Sequence, residues 1–129
     1  MKIVYIAHEY GGKPENIEKV KRIIADIAMS NLNVIPYCPW LAYVESLNDL
    51  NKEQRARGIM MTLALLDKRR VSELWIFGDK ISEGVALEIN KAYNEGIAIC
   101  NHSATITSFE YAQAFKSQGL PEPKFVKAV

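Results

Sequence analysis

The sequence predicts an α/β fold, a small doubly wound parallel sheet of four to five strands with helices on both faces. Short continuous apolar runs alternate along the chain with longer segments whose apolar residues recur at helical spacing. That alternation is typical of a parallel sheet covered by helices on both faces. A length of 129 residues with 49% hydrophobic residues suits one domain. We therefore expect residues 1–129 to form a single Rossmann-like or flavodoxin-like domain.

Two strands and two helices are predicted in the first half of the chain. Residues 3–7 are apolar throughout, which indicates a buried strand. Residues 14–31 predict a helix, because their apolar residues follow the spacing of one buried helix face and a proline stands near the start. Residues 33–37 predict a short strand, and residues 38–49 predict mostly loop, since they show no steady period. Residues 50–70 return to a helical pattern.

The second half of the chain continues the alternation. Residues 74–77 predict a buried strand, and residues 83–94 predict a helix that stops at Gly96. Residues 97–100 predict a fourth strand, and residues 109–116 predict a last helix.

Three loops are expected to carry any ligand site. In open α/β sheets, ligands lie beyond the carboxyl ends of the strands, where neighbouring crossovers leave on opposite faces. The loops at that edge are residues 8–13, 38–43 and 78–83.

The charge balance and hydropathy exclude several functions. Sixteen Lys and Arg against 15 Asp and Glu give a formal charge of +1, which argues against a protein that coats nucleic acid. No apolar run approaches the length of a membrane span, and the first ten residues lack the apolar core of a signal peptide. We expect a cytoplasmic protein whose partner is neither nucleic acid nor membrane.

The chain has two cysteines and two histidines, and their spacing predicts no metal site. Cys38 and Cys100 are too few for a disulfide framework, and with His8 and His102 they form no known ligand pattern. We expect both cysteines to be small buried residues, and we expect no cofactor.

The first loop has the composition of an anion-binding turn. Gly11 and Gly12 stand between a buried strand and a helix, where backbone N–H groups can approach a phosphate. The spacing fits neither the dinucleotide fingerprint nor the P-loop, so an ordinary turn remains the alternative. Arg55 and Arg57, in the helix predicted over residues 50–70, either reach a substrate or lie at the surface.

The third loop combines a helix cap with a carboxylate. Ser82 is a natural N-cap, and Gly84 in the first turn leaves backbone donors accessible. Glu88 lies six residues further on, roughly 9 Å along the helix axis. A ligand with its anion at Ser82 could present another atom to Glu88. The alternative is a surface helix whose Glu88 pairs with Lys91 or with water.

The residues around this loop resemble a known superfamily. The chain reads ELWIFG at 73–78 and ISEG at 81–84, with Glu88 four residues after the glycine, and Tyr5 stands in the first strand. This pattern resembles the nucleoside 2-deoxyribosyltransferases and the related nucleoside 5′-monophosphate N-glycosidases, most of all a small, often phage-borne branch. The likeness spans about residues 2–100.

The resemblance implies a role for each matching residue. Glu88 corresponds to the nucleophile that forms a glycosyl-enzyme intermediate, and Tyr5 to the tyrosine that hydrogen-bonds it. The resemblance also implies a 5′-phosphate site and homo-oligomers with sites near subunit contacts. The phosphate site would comprise Ser82, Gly84, Gly11 and Gly12. The chain departs from the pattern at Ala86 and Asn90, where better-studied members commonly carry glycine.

The chemistry of the reaction agrees with these roles. Cleavage of an N-glycosidic bond develops positive charge on the sugar, which an anion below the anomeric carbon stabilises. The leaving base needs a proton donor, for which Asp79 and His8 are the candidates. Trp40 either stacks on a base or serves as hydrophobic cover.

Three functions follow from the sequence. The first is an N-glycosidase or deoxyribosyltransferase-like enzyme acting on a nucleoside 5′-monophosphate. The second is a non-catalytic nucleotide- or ADP-ribose-binding module, since fold likeness does not establish activity. The third is a scaffold protein in which the cleft is vestigial.

Overall fold

The structure, a computed structural model, describes residues 1–106, residue 116 and residues 126–128. It confirms the α/β fold. The elements in chain order are β1 (Lys2–Ala7), α1 (Pro14–Ser30), β2 (Val34–Tyr37), α2 (Trp40–Ser46), α3 (Lys52–Leu65), β3 (Glu73–Ile76), α4 (Glu83–Glu95), β4 (Ala98–Asn101) and β5 (Val126–Ala128). The five strands form one parallel sheet in the order β2-β1-β3-β4-β5.

The first strand lies inside the sheet between β2 and β3. Tyr5 pairs with Tyr37 of β2 on one side and with Leu74 of β3 on the other. Residues 4–7 of this strand are completely buried. A central strand covered on both faces explains why this segment is apolar throughout.

Helices cover both faces of the sheet. Val4 and Ile6 pack with side chains of α1, whereas Tyr5 belongs to a larger core that includes Val85 and Ile89 of α4. Successive residues of a strand point to opposite faces, so α1 and α4 lie on opposite sides of β1. None of the helices in the described part of the chain is long and apolar enough to cross a membrane.

The predicted strands and two of the predicted helices are confirmed within one residue at each end. The first helix ends at Ser30, and α4 ends at Glu95 before Gly96, whose φ of 75° is left-handed. The helix predicted over 109–116 lies outside the described residues, except for residue 116. The sequence pattern did not indicate β5 individually.

Two predictions in the middle of the chain were wrong. The segment predicted to be mostly loop contains α2, which has only seven residues and is too short to show a helical period. The helix predicted over 50–70 is shorter, because Asn51 caps its start and it ends at Leu65. Met60 of α3 is 61% exposed.

Candidate functional site

A buried tyrosine–glutamate pair lies at the centre of the candidate site. The hydroxyl of Tyr5 in β1 donates a hydrogen bond to Oε2 of Glu88 in α4. Tyr5 is completely buried and Glu88 is 8% exposed. The structure therefore brings together two residues that lie 83 positions apart in the sequence.

Burial changes the protonation of both members of this pair. It raises the pKa of Glu88 to about 8, and the hydrogen bond from Tyr5 opposes part of that increase. Burial and the nearby negative charge of Glu88 raise the pKa of Tyr5 well above its usual value. Near neutral pH, most of the protein therefore carries a proton on both groups.

Glu88 lines a cavity of about 170 Å³ at the carboxyl edge of the sheet. The loop after β1 forms one wall, α2 and α3 form a second, and the start of α4 forms a third. The lining residues are His8, Tyr10, Gly11, Trp40, Val44, Asp49, Arg55, Ile59, Thr62, Leu63, Ser82, Glu83, Gly84, Val85 and Glu88. Of the predicted site residues, Tyr5 reaches this cavity through its bond to Glu88, whereas Gly12 and Asp79 are not part of the lining.

The first turn of α4 offers unused hydrogen-bond donors to the cavity. Ser82 is the N-cap, as predicted: its Oγ accepts from the Val85 N–H at 3.3 Å and its carbonyl from the Ala86 N–H at 2.9 Å. The N–H groups of Glu83 and Gly84 have no partner among the described residues. Two free donors at the positive end of a helix dipole suit an anion.

The loop after β1 is a tight turn that requires glycine. Gly11 and Gly12 have φ values of 60° and 72°, in the left-handed region that side chains disfavour. The Tyr10 carbonyl accepts from the Lys13 N–H at 3.1 Å and from the Asn16 amide at 2.9 Å, which ties the turn to α1. The turn therefore presents Gly11 to the cavity, and a role in phosphate binding remains a hypothesis.

His8 separates the cavity from a second, more open cleft of about 390 Å³. Its Nδ1 lies 2.6 Å from the carbonyl oxygen of Glu9. A carbonyl only accepts, so Nδ1 carries a proton and Nε2 of the neutral ring is an acceptor. A proton donated from Nε2 requires the doubly protonated ring. The His8 ring packs against Gly78, where an added Cβ would lie 3.3 Å from Nε2.

Asp79 belongs to the second cleft and not to the cavity that contains Glu88. Its side chain is 67% exposed and lies 3.9 Å from the Lys19 ammonium. The Thr105 hydroxyl donates to its carboxylate at 3.1 Å. The structure therefore does not bring Asp79 to Glu88, because Gly78 turns the chain at a φ of 93° and Thr105 holds the carboxylate away.

Trp40 forms part of the cavity wall. Its indole N–H donates to the Ile6 carbonyl at 3.1 Å, and the side chain is 8% exposed. Trp40 thus belongs to the hydrophobic core at the end of β1. The hypothesis that it stacks on a base remains open, since the ring also lines the cavity.

Sequence reasoning missed one buried side chain at this edge, Glu9, and left the positions of Arg55 and Arg57 relative to the site undecided. Glu9 is 6% exposed, and its carboxylate accepts from the N–H groups of Asp79 and Lys80. Arg55 lines the cavity with its Nε 3.8 Å from Asp49, whereas Arg57 does not line it. The only signal for Glu9 was its place directly after the strand and His8.

Cys38 lies near Glu88, and Cys100 lies in β4. Burial and the nearby Glu88 charge raise the pKa of Cys38, so its thiol stays protonated. Cys100 is buried and Cys38 is half-buried. In the part of the chain that the structure describes, no three His, Cys, Asp or Glu side chains are grouped so as to hold a metal ion.

Comparison with known proteins gives a family and a fold. A family model described as a domain of unknown function, DUF7768, matches residues 2–102. No curated protein matches the chain in sequence. Among solved structures, the chain is similar to one described as a conserved protein from Enterococcus faecalis V583, with a TM-score of 0.54 and 18% sequence identity. That match covers 100% of this chain and 82% of the other, and at this identity it supports the fold alone.

Proposed function

The chain belongs to the DUF7768 family, and we propose that it is an N-glycosidase or deoxyribosyltransferase-like enzyme that cleaves the base–sugar bond of a nucleoside 5′-monophosphate. One observation carries the proposal. The Tyr5 hydroxyl donates to a buried Glu88 whose cavity also contains Ser82 and the first turn of α4. A carboxylate and an anion site in one cavity are what attack on the sugar of a nucleotide requires.

In this proposal Glu88 is the nucleophile. Tyr5 binds Oε2, which leaves Oε1 to attack the anomeric carbon. The bond between that carbon and the base breaks, and its electron pair leaves with the base, which takes up a proton. Water, or a second base in a transfer reaction, then attacks the anomeric carbon and releases Glu88.

The nucleophile must lose its proton before it attacks. With a pKa of about 8, about one Glu88 side chain in ten is ionised at pH 7. Positive charge that develops on the sugar favours the ionised carboxylate, because opposite charges attract strongly in a buried site. Activity should therefore increase from neutral to mildly alkaline pH.

The 5′-phosphate would lie at the first turn of α4. Ser82, Glu83 and Gly84 line the same cavity as Glu88, and the N–H groups of Glu83 and Gly84 have no partner among the described residues. Helical side chains lean toward the helix N-terminus, so the Glu88 carboxylate reaches back toward this turn. His8 remains the candidate that contacts the leaving base, since Asp79 lies in the other cleft.

A nucleotide panel tests the proposed reaction. The purified protein is incubated with ribo- and deoxyribonucleoside 5′-monophosphates and with the parent nucleosides, and the released base is quantified by chromatography. We expect base release from at least one monophosphate, and loss of that release in Glu88→Ala. The matched control is Glu95→Ala, which removes a glutamate from the other end of the same helix. No release by the wild type, or equal release by Glu88→Ala, would contradict the proposal.

A nucleotide- or ADP-ribose-binding module without turnover is the second candidate. It is favoured by the raised pKa of Glu88, which leaves most of the protein without a charged nucleophile at pH 7. Ala86 and Asn90, which replace glycines of the resembled enzymes, favour it too. A binding module predicts a thermal shift that grows as RT ln(1 + [L]/Kd), with no free base released. No thermal shift with any nucleotide would contradict both candidates.

The proposal also includes a cytoplasmic location and a homo-oligomer. The resemblance to enzymes with sites near subunit contacts supports the oligomer. Light scattering coupled to size-exclusion chromatography measures the oligomeric state directly, and a monomeric mass would contradict this part of the proposal.

A further inference from the structure

The Glu9 carboxylate connects the two loops that border the proposed anion site. Its Oε1 accepts from the Asp79 N–H at 3.2 Å, and its Oε2 accepts from the Lys80 N–H at 3.0 Å. Glu9 lies directly after β1, and the two amides lie in the loop between β3 and α4. With 6% exposure, the carboxylate is nearly closed off from water.

The bonding pattern explains why a carboxylate occupies this position. Consecutive backbone N–H groups that converge after a turn form a concavity that binds anions. Here the turn is made at Gly78, and the chain supplies the anion itself. Glutamine would place an NH₂ group, itself a donor, against one of the two amides, so in this arrangement a carboxylate satisfies both donors and a glutamine amide does not.

This connection sets the relative position of two cavity walls. On one side, Glu9 is two residues before Gly11, which lines the cavity. On the other side, Lys80 is two residues before Ser82, which begins the first turn of α4. The packing of His8 against Gly78 joins the same two loops at an adjacent point.

We propose that Glu9 is a positioning residue: its carboxylate fixes the loop between β3 and α4 so that Ser82 and the free α4 amides face the anion of the ligand. The inference rests on the proposed function, because it assigns to that site a nucleotide bound through its phosphate. Glu9 touches neither the sugar nor the base, and it acts only through the Asp79 and Lys80 amides.

The test compares two ligands that differ only in the phosphate. Dissociation constants of the best 5′-monophosphate and of its parent nucleoside are measured for wild type, Glu9→Gln and Glu9→Asp. In Glu9→Gln we expect the monophosphate to bind about tenfold more weakly, which is the change expected when one charge-assisted hydrogen bond is lost. The dissociation constant of the nucleoside should change by less than about twofold. Glu9→Asp keeps both oxygens on a shorter stem, and we expect an intermediate loss.

A second measurement needs no nucleotide. Amide hydrogen exchange should accelerate at Asp79 and Lys80 in Glu9→Gln, while the amides of β1 and the second half of α4 keep their protection. Titration with inorganic phosphate should shift the Glu83 and Gly84 amide resonances in the wild type and shift them less in Glu9→Gln. The matched control is Glu15→Gln, which removes an exposed charge nearby and should change none of these quantities.

Each outcome decides the inference. Unchanged exchange at Asp79 and Lys80, or equal losses for monophosphate and nucleoside, would overturn it, because equal losses indicate a general structural defect. If the wild type releases base and Glu9→Gln binds the monophosphate equally well, the inference fails and the proposed function stands. If the wild type binds neither nucleotide nor phosphate, both fail together.

Discussion

The two clefts on either side of His8 differ in a way that size does not reveal. The larger, about 390 Å³, contains Asp79, which is largely exposed and already paired with Thr105 and Lys19. The smaller, about 170 Å³, contains Glu88, which is buried and has a pKa of about 8. Burial, and not volume, perturbs a carboxylate and makes it useful in catalysis. The comparison therefore favours the smaller cleft as the location of the proposed reaction.

The strongest test of this comparison replaces one carboxylate in each cleft with its amide. Glu88→Gln should lower base release at least about a thousandfold, because a neutral amide cannot form the covalent intermediate. Asp79→Asn, on the other side of His8, should change it by less than about twofold. Both are measured as kcat/KM on the best substrate of the panel. Similar losses in the two variants would remove the distinction between the clefts.

Tyr5→Phe should produce the next largest effect. It removes the hydrogen bond that lowers the pKa of Glu88 and leaves the ring volume in the core unchanged. We expect about a tenfold lower kcat/KM at pH 7 and a pH profile displaced to more alkaline values. An unaltered profile would mean that Tyr5 does not act on the ionisation of Glu88.

The pH dependence of the proposed activity should follow the ionisation of Glu88. From a pKa of about 8, the ionised fraction grows about tenfold between pH 7 and pH 9. We expect kcat/KM to increase over this range with an apparent pKa near 8, and Asp79→Asn to show the same curve. A rate that is already constant above pH 6 would contradict the assigned pKa.

Thermal stability should also depend on the protonation of Glu88, with a smaller effect than on activity. The folded pKa of Glu88 lies above its usual value, so its proton stabilises the fold at acid pH, and stability falls as the pH rises from about 4.5 to about 8. In Glu88→Gln this loss is absent. The Tm of Glu88→Gln minus that of the wild type should therefore increase across this range. In free energy of unfolding, the difference between the two proteins grows by at most about 1.4 kcal/mol per pH unit.

The sequence predicted the α/β fold because strands and capped helices leave strong local signals. Buried strands appear as unbroken apolar runs, and a capped helix appears as Ser82 followed by periodic apolar residues. The pairing of Tyr5 with Glu88 was implied by the family resemblance and not by this pattern, whereas Ser82 and Glu88 belong to one predicted capped helix. The seven-residue α2 escaped detection because two turns are too short to establish a period.

The arrangement of the remaining side chains depends on contacts that leave no local pattern. Asp79 is directed into the second cleft by the backbone at Gly78, whose φ of 93° the sequence does not specify. The partners of Glu9 are backbone amides 70 and 71 positions away, and any residue type except proline supplies such an amide. Residue identity alone therefore could not reveal the direction of the Asp79 side chain or the hydrogen bonds of Glu9.

The anchoring of Trp40 gives the protein an optical probe of its own cavity. The chain has two tryptophans, and Trp40 is fixed in the cavity wall by its bond to the Ile6 carbonyl. Trp75 stacks on His102 at 4.0 Å between ring centroids, and a protonated imidazole would quench its fluorescence. Burial lowers the pKa of His102, which confines that quenching to acid solution. At neutral pH and above, the fluorescence of Trp40 would therefore be measured against a Trp75 signal that protonation of His102 does not alter.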